Sequence, residues 1–217
     1  MKGVFITGTD TGVGKTIVAA ALVRSLLGLS VDAGVMKPVE TGRVSDSMAL
    51  REASSSRDSL DLVSPYRLRH ALAPIVAAEL EKVTIEPSRI LYCYDLLSSR
   101  HEVVVVEGAG GVAVPIARGF WFSDLIVAMG TPCVVVGRAG LGTINHTVLT
   151  IEHLRARGAR VLGVVLNGFK GDEAEEAGPT TIQEMTGLEH LWKIPWVSDP
   201  SNHRFDLREL ALLIKEG

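Results

Sequence analysis

Short apolar runs alternate with stretches of helical period along almost the whole chain. The runs at residues 2–7, 34–39, Val103–Glu107, 133–137, 161–167 and 190–194 have the length and β-branched content of buried strands. Between the first two, residues 15–27 are apolar on nearly every side, as a helix packed onto a sheet requires. Residues 87–99 predict a second helix, opening on Pro87. A third is predicted at 143–157, where Ile144, Val148, Ile151 and Leu154 share one stripe before Gly158 stops it. Shorter helices are predicted at 180–185 and 206–215, and the irregular stretch 41–73 predicts a short helix at Asp46–Ser54 and a mobile loop. Strand and helix in alternation predict a single domain over 1–217, a doubly wound, mostly parallel α/β sheet with helices on both faces. Ligands of such sheets bind beyond the C-terminal ends of the strands, so the polar residues just after each run are the ones to weigh.

Composition supports this architecture and narrows the partners. The 47% hydrophobic content and mean hydropathy of +0.26 suit a parallel sheet covered on both faces. A net charge of −3, few aromatics and no Lys/Arg run give no footprint for nucleic acid. No stretch approaches 18 uninterrupted apolar residues, and the first strand begins close to Met1. No membrane span or targeting segment is therefore expected. Cys93 and Cys133, far apart in a helix and a strand, are expected to be buried free thiols of a cytoplasmic protein.

The strongest chemical signal is Gly8-Thr9-Asp10-Thr11-Gly12-Val13-Gly14-Lys15-Thr16 between the first strand and the first helix. A strand, a glycine-rich turn and a helix opening with Lys-Thr form a phosphate cradle. Backbone N–H groups and the helix N-terminus attract the anion, Lys15 reaches the outer phosphates and the Thr16 hydroxyl reaches magnesium. Gly8 stands one residue early for the usual spacing, which would have glycine at Thr9. The fold expected is thus P-loop NTPase-like.

Other strand ends add weaker signals. Lys37, followed by Pro38-Val39-Glu40-Thr41-Gly42, is either a solvated surface charge or a second phosphate or substrate cation. Glu107 ends a run of four valines and is followed by Gly108-Ala109-Gly110-Gly111. An unpaired carboxylate there would be costly, so it is expected either to bridge an arginine or, the preferred reading, to hold magnesium. Asp46 is a possible second carboxylate, though alone it is an ordinary acid at a helix N-terminus. Gly142-Thr143-Ile144-Asn145 opens a helix and could receive an anion. His146, Asn167 and Trp196 each have a plain structural reading. Asn167 could otherwise read a base edge, and Pro195-Trp196-Val197 could flank an adenine.

Together these motifs, with Ser45-Asp46, Gly-x-Ile-Asn-His and Ile-Pro-Trp, closely resemble the dethiobiotin synthetase family, in the family's order and over nearly the whole chain. The resemblance implies ATP-dependent closure of 7,8-diaminononanoate with carbon dioxide or bicarbonate, and a homodimer with its sites at the interface. It implies that Gly12, Val13, Gly14, Lys15, Thr16 and Ile17 hold the phosphates, with Gly108, Ala109 and Gly110 close by. Thr16, Asp46 and Glu107 would surround Mg2+. Lys37, Lys15 and Thr11 would be catalytic, and Thr41, where many members have Ser, would join Lys37 at the diamine. Gly142 to Asn145 would receive the substrate carboxylate from the neighbouring subunit, and Asn167 with Pro195, Trp196 and Val197 would form the adenine pocket. Gly12 stands where some members carry Glu, and the match after Trp196 is poor. Two rivals share the expected fold. One is a nucleotide-switch ATPase of the partitioning type, which carries a signature lysine where this chain has Asp10. The other is an amide-forming ligase with a glutaminase domain, for which this length leaves no room.

Overall fold

The computed structural model describes residues 2–43, 45–200 and 203–217. In chain order the first half contains β1 (Gly3–Gly8), α1 (Lys15–Gly28), β2 (Ala33–Met36), β3 (Val39–Thr41), α2 (Asp46–Ser54), α3 (Leu60–Val63), β4 (Tyr66–Leu68), α4 (Pro74–Glu81), α5 (Pro87–Arg100) and β5 (Val103–Glu107). The second half contains β6 (Pro115–Ala117), β7 (Phe120–Trp121), α6 (Phe122–Ala128), β8 (Cys133–Arg138), α7 (Thr143–Ala156), β9 (Val161–Phe169), α8 (Glu173–Thr186), β10 (Leu191–Pro195) and α9 (Arg208–Glu216).

Six strands form one sheet in the order β10-β9-β8-β1-β5-β2, and every pairing in it is parallel. Successive valines of β5 point to opposite faces, which is why the run is apolar without a break. Val103 and Val105 join a core beneath α1 and α9, while Val104 and Val106 join the opposite core with residues of α5 to α8. β1 lies between β5 and β8, so the chain leaving β1 emerges at the centre of the sheet's C-terminal edge. Among the described residues, no helix is long and apolar enough to cross a membrane. Cys93 and Cys133 are buried free thiols, as expected.

Three expectations need correction. The run 34–39 is not one strand. β2 ends at Met36, the Lys37 N–H turns to the Val63 carbonyl at 2.8 Å, and Pro38 has no N–H with which to continue a ladder. Val39 then starts β3, which pairs with β4 in a separate two-stranded sheet. The helix expected at 180–185 is seven residues longer at its N-terminal end, because Asp172 and Glu175 cap it reciprocally and Pro179 is accommodated inside it. The stretch 41–73 contains α3 and β4 besides α2, where a loop was expected. The helices α4 and α6 and the β6–β7 hairpin were also not predicted.

Candidate active site

The site is built where β1, β2 and β5 end side by side. Gly14 precedes α1 with φ 96°, and a side chain there would lie 2.1 Å from the Asn167 amide nitrogen. Only glycine satisfies both conditions. Asn167 in turn donates to the Val13 carbonyl at 3.0 Å, so the end of β9 props the phosphate loop. Lys15 folds back to donate to the Asp10 carbonyl at 2.8 Å, and the Asp10 carboxylate accepts the Thr11 N–H at 2.7 Å.

The break after Met36 turns Lys37 into this site. Its ammonium meets Glu107 Oε1 at 2.6 Å, Asp46 Oδ2 at 2.7 Å and the Gly108 carbonyl at 3.2 Å. The Thr16 hydroxyl donates to the same Glu107 oxygen at 2.9 Å. Glu107 Oε2 is buried and has no hydrogen-bond partner among the described residues. The arginine bridge that was the alternative to magnesium at Glu107 is not what forms, since Lys37 is the partner, and Lys37 is buried rather than a surface charge.

Burial works against the charge on Lys37, but Glu107 and Asp46 outweigh it and hold the ammonium above its ordinary range. Burial pushes the Glu107 carboxyl up, more than Lys37 pulls it back. Burial, then the neighbouring Lys37 charge, brings Lys15 down to about 8. Two ammonium groups are held together here with too few carboxylate contacts, an arrangement that an incoming polyanion relieves.

A magnesium ion fits this donor set. The free Glu107 oxygen, the Thr16 hydroxyl and the Asp46 carboxylate are all hard oxygen donors, and magnesium commonly uses one or two carboxylates besides phosphate oxygens and water. Among the described residues no group of three or more His, Cys, Asp or Glu is placed to hold a metal. Phosphate and hydroxyl oxygens would therefore have to complete the shell.

A cavity of about 710 Å3 brings most of the expected residues together: Thr11, Gly12, Gly14 to Ile17, Lys37, Thr41, Asp46, Glu107, Ala109 and Gly110. Val13 turns its side chain into the core, and Gly108 is buried. Ala71 to Pro74 and Val114 form walls that the sequence reading missed. Pro74 before an apolar stretch was a helix-start signal that could have placed one of them. The structure does not bring the remaining residues into this cavity. Asn167 touches the phosphate loop from outside it, and Trp196 is exposed, with Lys170 Nζ 5.3 Å from its ring centre. Pro195 is exposed and Val197 half-buried. At the start of α7 the Thr143 side chain is buried and its N–H is already given to the Gly140 carbonyl. An anion there would have to use the N–H groups of Ile144 and Asn145.

Comparison with known proteins fits this geometry. The family described as AAA domain matches residues 2–204. An ATP-dependent dethiobiotin synthetase BioD from Anaeromyxobacter sp. (strain K) is 44% identical over 205 residues, covering 92% of each chain. One from Methanococcus vannielii is 37% identical over 209 residues, covering 96% of this chain and 99% of its own. The chain belongs to the dethiobiotin synthetase family. Solved structures of more distant proteins share the fold alone. The cell division ATPase MinD of Pyrococcus furiosus covers all of this chain and 99% of its own at TM-score 0.65 and 15% identity. A ParA family ATPase from Chlorobium tepidum TLS covers 90% of this chain and 84% of its own at TM-score 0.58 and 16% identity.

Proposed function

We propose that this chain is a ligase that forms dethiobiotin from 7,8-diaminononanoate, carbon dioxide and ATP, with residues 1–217 acting as one domain. The observation that carries the reading is the cluster of Lys15, Lys37 and the half-satisfied Glu107 at the phosphate loop of a dethiobiotin synthetase family member.

In this reading one amine of the substrate attacks carbon dioxide and, after losing a proton, becomes an anionic carbamate. A carbamate oxygen attacks the γ-phosphorus of ATP and displaces ADP, giving a mixed anhydride whose phosphate is now a good leaving group. The second amine attacks the same carbon, closes the five-membered ring and expels phosphate. Phosphoryl transfer needs positioning and charge neutralisation more than covalent help. Lys37, held charged by two carboxylates, faces the carbamate, while Lys15 leaves the Asp10 carbonyl for the outer phosphates. Thr41 contacts the diamine, and Thr11, whose N–H the Asp10 side chain already fixes, stands at the loop's mouth. Thr16, Asp46 and Glu107 would hold Mg2+, which would supply charge neutralisation at the phosphates. Tethering both amines on one chain makes ring closure effectively intramolecular.

Asn167 with Pro195, Trp196 and Val197 borders the adenine in this proposal, supported by the Asn167 contact to the phosphate loop. The substrate carboxylate goes to Ile144 and Asn145 of a second subunit. The support for a dimer is Leu141, fully exposed beside those N–H groups, and Leu149, exposed on the same helix. The two buried free thiols favour a cytoplasmic setting.

The test is ADP release by the purified protein with and without diamine and bicarbonate, with the product weighed by mass spectrometry. One ADP per dethiobiotin, and no release without diamine, is expected. ATP hydrolysis indifferent to diamine, with no dethiobiotin formed, would overturn the reading in favour of a nucleotide switch.

A further inference from the structure

One buried carboxylate beside this site has no part in the reaction as described. Glu40 is the middle residue of β3 and is 5% exposed. Its Oε1 accepts the Ser47 N–H at 3.0 Å and its Oε2 accepts the Ser47 hydroxyl at 2.7 Å. Ser47 lies in the first turn of α2 and is fully buried. Its chain neighbour is Asp46, whose carboxylate meets Lys37.

We propose that Glu40 is a positioning residue: through Ser47 it holds the start of α2 so that Asp46 faces Lys37 and the magnesium ion. This rests on the function proposed above. Ser45 already caps α2, accepting the Met48 N–H at 3.3 Å, so the helix would begin without Glu40. The second attachment sets where the helix begins and how it is turned. One carboxylate gripping both the N–H and the hydroxyl of a single residue resists shift along the helix axis and rotation about it. Gly42 leaves β3 with φ 95°, so the chain turns sharply away from the strand before it reaches α2. An acid kept in a dry place is costly unless its bonds are needed, and a packing role would be met by an apolar residue. The carboxylate also faces the N-terminus of α2, where its charge is favoured. Asp46, by contrast, is partly exposed, and its place is decided by the backbone that carries it.

The test compares Glu40→Ala, Glu40→Gln and Ser47→Ala in the full chain. Amide exchange at Ser47 in the protein free of nucleotide and metal should quicken about tenfold in Glu40→Ala, because the carboxylate that accepts its N–H is gone. The Mg2+ concentration for half-maximal turnover should rise about tenfold with a lower kcat, as for other groups that orient a metal ligand. KM for ATP should hardly change, since the phosphate loop is untouched. Glu40→Gln should restore both readouts, because its amide can accept the N–H and donate to the hydroxyl. Should Glu40→Ala fail to fold, Ser47→Ala loses one of the two bonds and should show a smaller shift in the same direction. Normal Mg2+ dependence in a folded Glu40→Ala or Ser47→Ala variant, whether or not Ser47 exchange quickens, would overturn the proposal. If the wild type makes no dethiobiotin, the functional reading fails. Mg2+ affinity of the ADP complex, measured by calorimetry across the variants, then still decides the role of Glu40.

Discussion

Two clusters of paired charge lie at opposite ends of β2 and β5, the first largely buried and the second open to solvent at Asp32 and Arg100. At the C-terminal end, Lys37 sits between Glu107 and Asp46. At the N-terminal end, His101 sits between Asp32 at 3.0 Å and Asp58 at 2.7 Å, and Asp58 also takes Arg100 at 2.9 Å and the Ser56 hydroxyl at 2.7 Å. The compositions are alike, a cation between two carboxylates, but the satisfaction differs. Both Asp58 oxygens are used. Glu107 has one oxygen with two donors and one with none, and a second ammonium stands beside it at a lowered pKa. The saturated cluster is a clasp between α5, the start of β2 and the loop after α2. The unsatisfied one is prepared for a ligand. Unfilled bonding capacity in a buried place separates a binding site from a structural bridge better than the kinds of residue present.

The comparison can be broken by substitution. Lys15→Ala should lower kcat about a thousandfold, the scale of losing a preorganised charge at the transition state. The folded state should be no less stable, because the buried ammonium is held there against its desolvation cost. Turnover near wild type at saturating ATP and diamine would remove Lys15 from the phosphate site. Glu107→Gln keeps the shape and loses the charge, and should cost up to about a hundredfold in Mg2+ affinity or rate. An unchanged Mg2+ titration would make Glu107 a partner of Lys37 and nothing more.

The clasp should respond in the opposite way. His101→Gln can still donate to Asp58 through its amide but loses the Asp32 bond and the positive charge, and should cost about 1–3 kcal/mol of stability while kcat stays within about twofold. Its pH dependence has a defined sign. Burial lowers His101, but bonds to Asp58 and Asp32 outweigh it and hold the imidazolium above its ordinary 6.5. Its contribution is therefore complete below 6.5 and is lost as pH rises through the raised value. Burial raises Asp58, but Ser56, His101 and Arg100 together hold it below its ordinary 3.8. Its contribution is present above 3.8 and is lost as pH falls through the lowered value. Denaturation midpoints of wild type and His101→Gln should differ most between pH 3.8 and 6.5 and converge in alkali. A gap that widens above neutrality would contradict the clasp.

The smallest effect is a proton. With Lys15 at about 8, much of it is neutral in the free protein at about pH 8.5, and a bound triphosphate should recharge it. Calorimetry of ATP binding in buffers of different ionisation enthalpy should detect uptake of a fraction of a proton. Lys15→Ala should lose it, and wild-type binding without uptake would mean that Lys15 does not meet the phosphates.

How far the sequence foretold these clusters depended on contiguity. Lys15 and Thr16 stand in one unbroken motif, and Glu107 ends a run of valines that has no other reason to finish on an acid. Lys37 was marked by the apolar run before it, yet the same run hid the strand break that aims it. The break needs the Val63 carbonyl, which a distant segment supplies. The wall at Ala71 to Ala73 has no such mark, because it follows α3 and β4, which are too short to carry a period, whereas Pro74 at the start of α4 is a legible helix-start signal. Glu40 and Ser47 are ordinary polar residues seven positions apart, and only the fold shows that they meet. The start of α7 is legible as a helix opening with free N–H groups, and only the fold shows that Thr143 gives its own N–H to Gly140 within the turn.

The most direct test of the whole account is a crystal structure with 7,8-diaminononanoate and a non-hydrolysable ATP analogue. The terminal phosphate is expected between Lys15 and Lys37, with an ion joining it to Thr16, Asp46 and Glu107, and the diamine against Lys37 and Thr41. A second cavity of about 600 Å3 lies at the opposite edge of the sheet, near Lys2, Thr131 and Arg160. Diamine bound there, or phosphates away from both lysines, would contradict the account.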